Sequence, residues 1–207
     1  MPAGLIPLFP LRVVVFPRTR LPLHIFEERY KEMVSDAIRD GSEFGIVLAQ
    51  ENGLVNTGCT VLVEKVLEMY PDGRMDVLTR GQRRFEILEL NQEKAFLQAE
   101  VRFFDDDDIA AVPAELRKAA LAHYHALEGL RAGGGEPDLE DPQLSFQLAQ
   151  SLPDLNFLNT LLQHRSESER LRQLNRYLAE YLPRQRDIER VRDLAPTNGF
   201  GGKLAGL

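Results

Sequence analysis

The chain has 207 residues and a mass of 23.5 kDa, which is enough for one domain, or a domain with a smaller lobe, around a sizeable core. An apolar fraction of 43%, a charged fraction of 28% and a mean hydropathy of −0.27 are typical of a soluble globular protein and exclude a disordered or membrane-embedded one. The net charge of −7 argues against a general electrostatic attraction to nucleic acid or to an anionic membrane.

Up to about residue 104, apolar and polar residues alternate, which predicts strands with one buried face. Strands are expected over residues 11–16, 44–49, 60–70, 74–79, 83–90 and 95–103. Pro71-Asp72-Gly73 has the composition of a tight turn, so it is predicted to close a hairpin. One helix interrupts the strands, because apolar residues recur at helical spacing from Phe26 to Ile38 and Gly41 follows as a C-cap. This helix is expected to cover an open edge of a barrel or curled sheet.

The pattern changes at Asp105 to Asp108, a run of four carboxylates that we interpret as a solvated hinge. Beyond it, helical spacing predicts helices near residues 116–130, 144–148, 157–162 and 166–182. Ser166 and Glu169 form a capping box at the start of the last helix, and Pro183 is expected to kink or end it. The sequence therefore predicts an α+β chain with a β-rich lobe at 1–104, a helical lobe at 105–195 and a flexible tail at 196–207.

Several patterns resemble catalytic or metal sites but lack an essential part. Residues 53–60 have the glycine spacing of a Walker A loop, but Cys59 replaces the phosphate-binding lysine and a strand follows instead of a helix. The four histidines have no partners at metal-ligand spacing, and no G-x-S-x-G nucleophile motif is present. We therefore expect no catalytic residues, no cofactor and no metal ion.

A single cysteine permits no internal disulfide and suits a reducing compartment, so we expect a cytoplasmic protein. The apolar N-terminus lacks the basic region of a signal peptide, and no stretch is apolar enough to span a membrane. The arginines after residue 164 alternate with carboxylates at helical spacing, which indicates a salt-bridged solvent face rather than a nucleic-acid site.

The segments 6–17 (IPLFPLRVVVFP) and 21–30 (LPLHIFEERY) resemble the Lon N-terminal, or LON substrate-binding, domain. Residues 58–66, 71–73 and 79–87 follow in that family's order, and the resemblance extends over about 5–182. It implies a twisted β-barrel of PUA-like type with one packed helix, followed by a helical bundle. The motif residues that it marks as structural or partner-contacting are Pro10, Pro17, His24, Phe26, Glu27, Arg29, Tyr30, Gly73, Gly81, Arg84 and Phe85.

Residue by residue, these positions also have structural explanations. Phe26 and Tyr30 fall on the buried stripe of the helix, and Glu27 is expected in its first turn, where a carboxylate suits the helix dipole. Arg29 and Arg84 are expected to pair with carboxylates in the barrel mouth.

In full Lon proteases this domain recognises polypeptide substrates, whereas a separate ATPase and a Ser–Lys protease domain act on them. Since neither is present in these 207 residues, the resemblance implies a non-enzymatic polypeptide-binding or adaptor module of the bacterial cytosol. We expect it to capture extended or apolar segments in an apolar groove between the lobes, or by adding a strand to a free sheet edge.

Three alternatives stay open: an RNA-binding PUA-like module, an accessory factor acting in trans with an ATP-dependent protease, and a hydrolase centred on Cys59 or a serine. The sequence also leaves homo-oligomerisation open.

Overall fold

A computed structural model describes residues 5–107, 111–131 and 136–194. The predicted tail after residue 195 and the glycine run 133–135 lie outside these ranges. The strands are β1 (Ile6–Leu11), β2 (Arg20–Ile25), β3 (Phe44–Gln50), β4 (Gly53–Met69), β5 (Met75–Asn91) and β6 (Gln98–Phe104). The helices are α1 (Glu28–Asp40), α2 (Ala114–Arg131), α3 (Leu144–Ala149), α4 (Leu155–Gln163) and α5 (Glu167–Leu194). The α+β fold is thus confirmed.

The sheet closes on itself. Its strand order is β2-β5-β4-β3-β1-β6, and β6 also pairs with β5, so five strands form a ring. The β1–β3 pair is parallel, whereas the other pairs are antiparallel. The long strands β4 and β5 make this closure possible, because register shifts along both let each strand change neighbours partway. The result is a small barrel.

A three-stranded extension projects from the barrel, which we call the flap. It consists of β2, residues 62–69 of β4 and residues 75–80 of β5. The turn 71–73 closes the β4–β5 hairpin at its tip, where Gly73 has φ +81° and accepts the left-handed conformation. This confirms the predicted hairpin. Helix α1 contacts both β2 and β4.

Phe85 fills the barrel interior. Its ring lies against Gly45 and Gly58, where a side-chain carbon added to either glycine would approach the ring to 2.7 and 2.5 Å, respectively. Leu8, Val47 and Val101 complete this interior cluster. Two glycines therefore make room for one aromatic ring.

A second, larger buried cluster joins the barrel to the helices. It includes Phe16 and Val77 from the β-rich part and Leu127, Phe146 and Leu174 from the helical part. The rings of Phe16 and Phe146 stack with centroids 4.6 Å apart. The two predicted lobes therefore share a continuous apolar core.

Some predicted boundaries are wrong. The first strand covers 6–11 rather than 11–16, and the two strands expected at 74–79 and 83–90 are one continuous strand, β5 (Met75–Asn91). The strand β2 lies in a Pro-containing segment that alternation alone did not reveal. Helix α5 continues through Pro183 to Leu194, so the helix does not end at this proline.

Candidate functional site

The predicted motif residues do not form one cluster. Six lie at the flap end of the molecule, where β2, the start of α1 and the hairpin tip meet; they are His24, Phe26, Glu27, Arg29, Tyr30 and Gly73. Pro17, Gly81 and Arg84 lie on the opposite side, against or near the helices. Pro10 belongs to β1 and Phe85 to the barrel interior. The motif residues therefore lie mainly in two separate regions, the flap end and the junction of the barrel with the helices.

Three rings form an exposed group on the flap, which we call the aromatic patch: His24, Phe26 and Tyr70. The His24 ring lies 5.9 Å from that of Phe26 and 6.1 Å from that of Tyr70. Phe26 is 59% exposed and precedes α1, so the prediction that it belongs to the buried helix stripe is wrong. A chain that leaves a phenyl ring this exposed beside two other rings presents a surface for apolar contact.

The carboxylate of Asp76 is hydrogen-bonded to two of these three rings. Asp76 accepts hydrogen bonds from His24 Nδ1 at 2.6 Å and from the Tyr70 hydroxyl at 2.9 Å. Both bonds lower the pKa of Asp76, and the bond from His24 has the larger effect. The bond to Asp76 in turn raises the pKa of Tyr70 to about 12, so Tyr70 remains a neutral donor at physiological pH. The network fixes both rings in place.

The other motif residues at this end anchor α1. Tyr30 stacks on Phe9 with centroids 4.1 Å apart, and its burial raises its pKa. The Arg29 guanidinium lies 4.6 Å from the centroid of the Tyr30 ring and pairs with Glu27 at 2.8 Å, on the surface rather than in the barrel mouth. Glu27 is the N-cap residue of α1, not part of its first turn, and its side chain makes no cap hydrogen bond.

Strand β2 has an unpaired edge within the described residues, since it pairs only with β5. Leu21 faces β5, because its carbonyl accepts a 2.8 Å bond from the Thr79 hydroxyl. Backbone groups alternate sides along an antiparallel strand, so those of Arg20, Pro22 and His24 face the free edge. Pro22 faces this free edge, so its missing N–H removes no hydrogen bond between β2 and β5.

The second region is a buried ion network between the barrel and the helices, which we call the junction network: Arg84, Asp106, Ser145, Glu167 and Arg170. Arg84 is 1% exposed, and its Nη1 donates to the carbonyls of Leu162 and His164 at 3.2 and 2.7 Å. Its Nη2 donates to Asp106 at 2.6 Å. This fits the expectation that a carboxylate holds Arg84.

Arg170, which is fully buried, completes the network. It donates to both oxygens of Asp106 at 2.6 Å and to Glu167 at 2.8 Å. Glu167 in turn accepts bonds from the Ser145 backbone N–H and hydroxyl at 2.8 and 2.6 Å. These five side chains come from the barrel, the linker and two helices, and each is hydrogen-bonded to others in the network. The network therefore fixes the position of the helices against the barrel.

The pKa shifts follow from this burial. Desolvation opposes the charge on Asp106, but hydrogen bonds from Arg170 and the charge of Arg84 outweigh it and lower its pKa. Burial dominates for Glu167 and raises its pKa, and burial lowers the pKa of Arg84. Asp106, whose side chain is 17% exposed, is thus a largely buried counter-ion, and the prediction of a solvated hinge is wrong at this residue.

Of this network only Arg84 was predicted as a site residue. Glu167 and Arg170 stand three residues apart, which is the spacing of an ion pair on one helix. This spacing predicts the ion pair between Glu167 and Arg170, but it does not predict that the pair is buried. Nothing in the sequence linked Ser145 or Asp106 to either residue.

The cavities between barrel and helices are charged, which contradicts the predicted apolar groove. One, of about 380 Å³, is lined by Pro17, Arg18, Gln82, Arg83, Arg84, Phe103, Phe104, Asp105 and Gln143. A second, of about 600 Å³, is lined by arginines and carboxylates that include Arg20, Arg80 and Asp141. The flap is therefore a better candidate surface than these cavities for binding an apolar segment.

Cys59 is fully buried in β4, and this burial raises its pKa to about 12. A thiol of this kind is almost never ionised at neutral pH, which argues against a hydrolase centred on it. Within the described ranges, no group of three or more His, Cys, Asp or Glu is placed to hold a metal ion. None of the described helices is long and apolar enough to cross a membrane.

Comparison with known proteins gives a consistent set of relatives. A family model for the ATP-dependent protease La (LON) substrate-binding domain matches residues 5–194. The Lon protease of Parabacteroides distasonis is 33% identical over 110 residues, and that of Anaeromyxobacter dehalogenans is 31% identical over 148 residues. These matches cover 49% and 64% of this chain but only 13% and 17% of the two proteases.

Two solved structures resemble the fold. The Lon N-terminal domain protein from Xanthomonas campestris has a TM-score of 0.67 at 28% identity, covering 83% of this chain and 96% of that one. The N-terminal domain of the Mycobacterium avium complex Lon protease has a TM-score of 0.60 at 17% identity, covering 85% and 98% respectively. At that identity the second likeness shows a shared fold.

Proposed function

Because the chain belongs to the ATP-dependent protease La (LON) substrate-binding domain family, we propose that it is a non-catalytic module that recognises polypeptide segments. The observation that carries the proposal is that the flap places an exposed aromatic patch directly beside the unpaired edge of β2. An extended segment pairing with that edge would bury an apolar side chain against Phe26.

The edge of β2 suits this task better than the other unpaired edge of the flap. Residues 62–69 of β4 pair with β5 alone, but that pairing shifts register twice, after Val63 and after Val66. Bulges of this kind discourage further strands from pairing. The β2–β5 register runs from Arg20 to Ile25 without a shift, so β2 offers a regular edge interrupted only by the missing donor of Pro22.

The proposal is tested by fluorescence anisotropy with a labelled, reduced and alkylated polypeptide that cannot fold. The intact chain should bind it, and Phe26→Ala should weaken binding about three- to tenfold, as expected for losing a partly buried phenyl contact. The matched control is Ile188→Ala on α5, since Ile188 is also 59% exposed. This control should bind as the parent does.

Absence of binding by the parent chain would overturn the proposal. Equal losses in the Phe26 and Ile188 variants would also contradict it, because binding would then follow general surface hydrophobicity. Thermal unfolding of both variants checks that the fold is retained.

A delivery role for a protease acting in trans follows from the same proposal, with the reducing cytoplasm suited to the single buried thiol. Capture of native partners from lysate by the intact chain and by the Phe26→Ala variant would test it. A protease that co-purifies with both proteins, while unfolded chains are retained only by the parent, is the result expected of an adaptor.

The RNA-binding alternative needs unpaired cations beside free ring faces. Arg83 lies 3.8 Å from the centroid of the Phe103 ring but also pairs with Glu43 at 3.0 Å. The Phe104 ring is likewise covered by Arg84 and Arg165, at 4.8 and 4.6 Å. These features favour a polypeptide over a nucleic acid, and a gel shift with cellular RNA over a salt series would test the choice.

A further inference from the structure

The cavity of about 380 Å³ beside the junction network, here called the junction cavity, has no role in the proposed capture on the flap. It combines three guanidinium groups, those of Arg18, Arg83 and Arg84, with the single carboxylate of Asp105. The side chain of Asp105 is 85% exposed, so it lies at the rim. Each guanidinium group also pairs with a carboxylate outside the cavity lining, Arg18 with Asp141, Arg83 with Glu43 and Arg84 with Asp106. The cavity is therefore rich in guanidinium N–H donors rather than in net positive charge.

Two of these arginines have donors to spare. Arg83 directs Nε and Nη2 to Glu43, and among the described residues its Nη1 has no acceptor. Arg18 directs Nη1 to Asp141, which leaves Nε and Nη2 without an acceptor in the same described part of the chain. Unused N–H groups in the planar geometry of a guanidinium match the two oxygens of a carboxylate.

The aromatic walls restrict what else can enter. Arg83 covers one face of Phe103, while Arg84 and Arg165 both lie over Phe104. A nucleobase that required stacking would have to displace a guanidinium group. The ring edges of Phe103 and Phe104 and the ring of Pro17 offer contact to a compact apolar group instead.

Arg18 holds an unusual backbone conformation at the rim of the cavity. Its φ of +64° is the only positive value among the described residues other than glycine. The backbone there is fixed by bonds from Arg18 N–H to the Gly81 carbonyl at 2.8 Å and from Gly81 N–H to the Thr19 carbonyl at 2.9 Å. Glycine would occupy this position with less strain, so an arginine here carries a conformational cost.

We propose that the junction cavity binds the C-terminal carboxylate of a polypeptide whose last side chain is apolar. The spare donors of Arg18 and Arg83 would hold the carboxylate, and the last side chain would contact Pro17 and the edges of the phenyl rings. Gln82 and Gln143 also line the cavity, and their side-chain oxygens would accept a bond from the terminal peptide N–H. This site lies apart from the aromatic patch and adds recognition of a chain end to the capture of internal segments.

The test compares two fluorescent hexapeptides that differ only at the C-terminus, one ending in leucine with a free carboxylate and the other in leucinamide. The free acid should bind the intact chain at least about tenfold more tightly, since a hydrogen bond to a charged group is lost in the amide. Arg83→Gln should abolish that preference by weakening the acid alone. Arg102→Gln, which replaces an arginine of similar exposure that pairs with Glu86 outside the cavity, should preserve it.

Arg18→Gly separates binding from folding. Glycine relieves the positive φ, but the variant also loses the pair with the buried Asp141, so thermal unfolding is measured to show that the variant stays folded. The folded variant should lose the preference for the acid. Phe26→Ala should leave the acid-to-amide ratio unchanged, so failure here is distinguishable from failure of capture on the flap.

Equal affinity for acid and amide, or a preference that survives both arginine substitutions, would overturn the inference. Competition by N-acetyl-leucine provides a further check on the source of the carboxylate. Displacement by this small acid as effective as that by the hexapeptide acid would also overturn the assignment to a polypeptide end.

Discussion

The junction network and the flap differ in how far their side chains and backbone groups are paired within the chain. At the junction, Arg84 and Arg170 are almost completely buried, and Asp106 and Glu167 compensate their charges. On the flap, the rings of His24 and Phe26 are about half exposed and an adjacent strand edge is unpaired. Buried charged groups that are paired with one another stabilise the packing of the helices on the barrel. Exposed rings and unpaired backbone groups are instead available to a partner.

The largest expected effect is on stability and comes from the junction. Arg170→Met removes the guanidinium that binds Asp106 and Glu167 and leaves both carboxylates without it in a buried site. The free energy of unfolding should fall by about 3–5 kcal/mol, as measured by urea denaturation. Arg74→Met at the exposed hairpin tip is the control, because its pair with Asp72 lies in solvent and should contribute little to stability.

A loss as small as that of the Arg74 variant would contradict the assignment of Arg170 to a structural role. Retained affinity for the unfolded polypeptide in the folded fraction of Arg170→Met would support the separation of the two regions.

Glycine substitutions sharpen the comparison at the backbone level. A side-chain carbon at Gly81 would overlap the Phe16 carbonyl oxygen, so Gly81→Ala forces the loop 16–19 away from the barrel. This substitution should cost about 1–3 kcal/mol or more, because a backbone atom must move. Gly73→Ala, at the flap tip, meets no atom closer than 3.8 Å and should cost about 1–2 kcal/mol through its positive φ.

Thermal unfolding of the two alanine variants measures this difference. Equal losses of stability, or a greater loss for Gly73→Ala, would contradict this expectation. The loop 16–19 would then move away from residue 81 at little energetic cost.

The smallest expected effect is on the pH dependence of stability. The folded pKa of Asp106 lies below its ordinary value of 3.8, so its contribution is present above that pH and is lost as the pH falls through the folded pKa. The folded pKa of Glu167 lies above 4.5, so its contribution is present below pH 4.5 and is lost as the pH rises through the folded pKa.

Urea unfolding at several pH values tests this opposition of signs. Asp106→Asn should lessen the fall in stability on acidification, whereas Glu167→Gln should lessen the fall on raising the pH. Profiles that change in the same direction in both variants would contradict the opposite pKa shifts.

Local sequence rules predicted the elements that depend on local interactions. Gly41 ends α1 with a φ of +58°, and the Ser166 hydroxyl accepts a bond from the Glu169 backbone N–H at the start of α5. Periodicity also predicted a β-rich part followed by helices, and the motif resemblance specified that the strands form a barrel. Phe26 shows the limit of periodicity, since it matched the helical spacing but lies before the first helical residue and outside the core.

Groups distant in sequence could not be paired in advance. Asp106 meets Arg170 across 64 residues, and Arg84 reaches the carbonyl of His164 across 80. The free edge of β2 was equally hidden, because it depends on β6 pairing with β5 and closing the other strands into a ring. The composition of a carboxylate run shows its charge, but only the fold decides which carboxylate is buried.

Hydrogen exchange of the intact chain, with and without the unfolded polypeptide, tests most directly whether the flap is the capture surface. The amides of Arg20 and His24 on the free edge of β2 should exchange more slowly in the complex, while amides around the junction network remain unchanged. Binding that leaves residues 20–25 unchanged and slows exchange elsewhere would contradict the account.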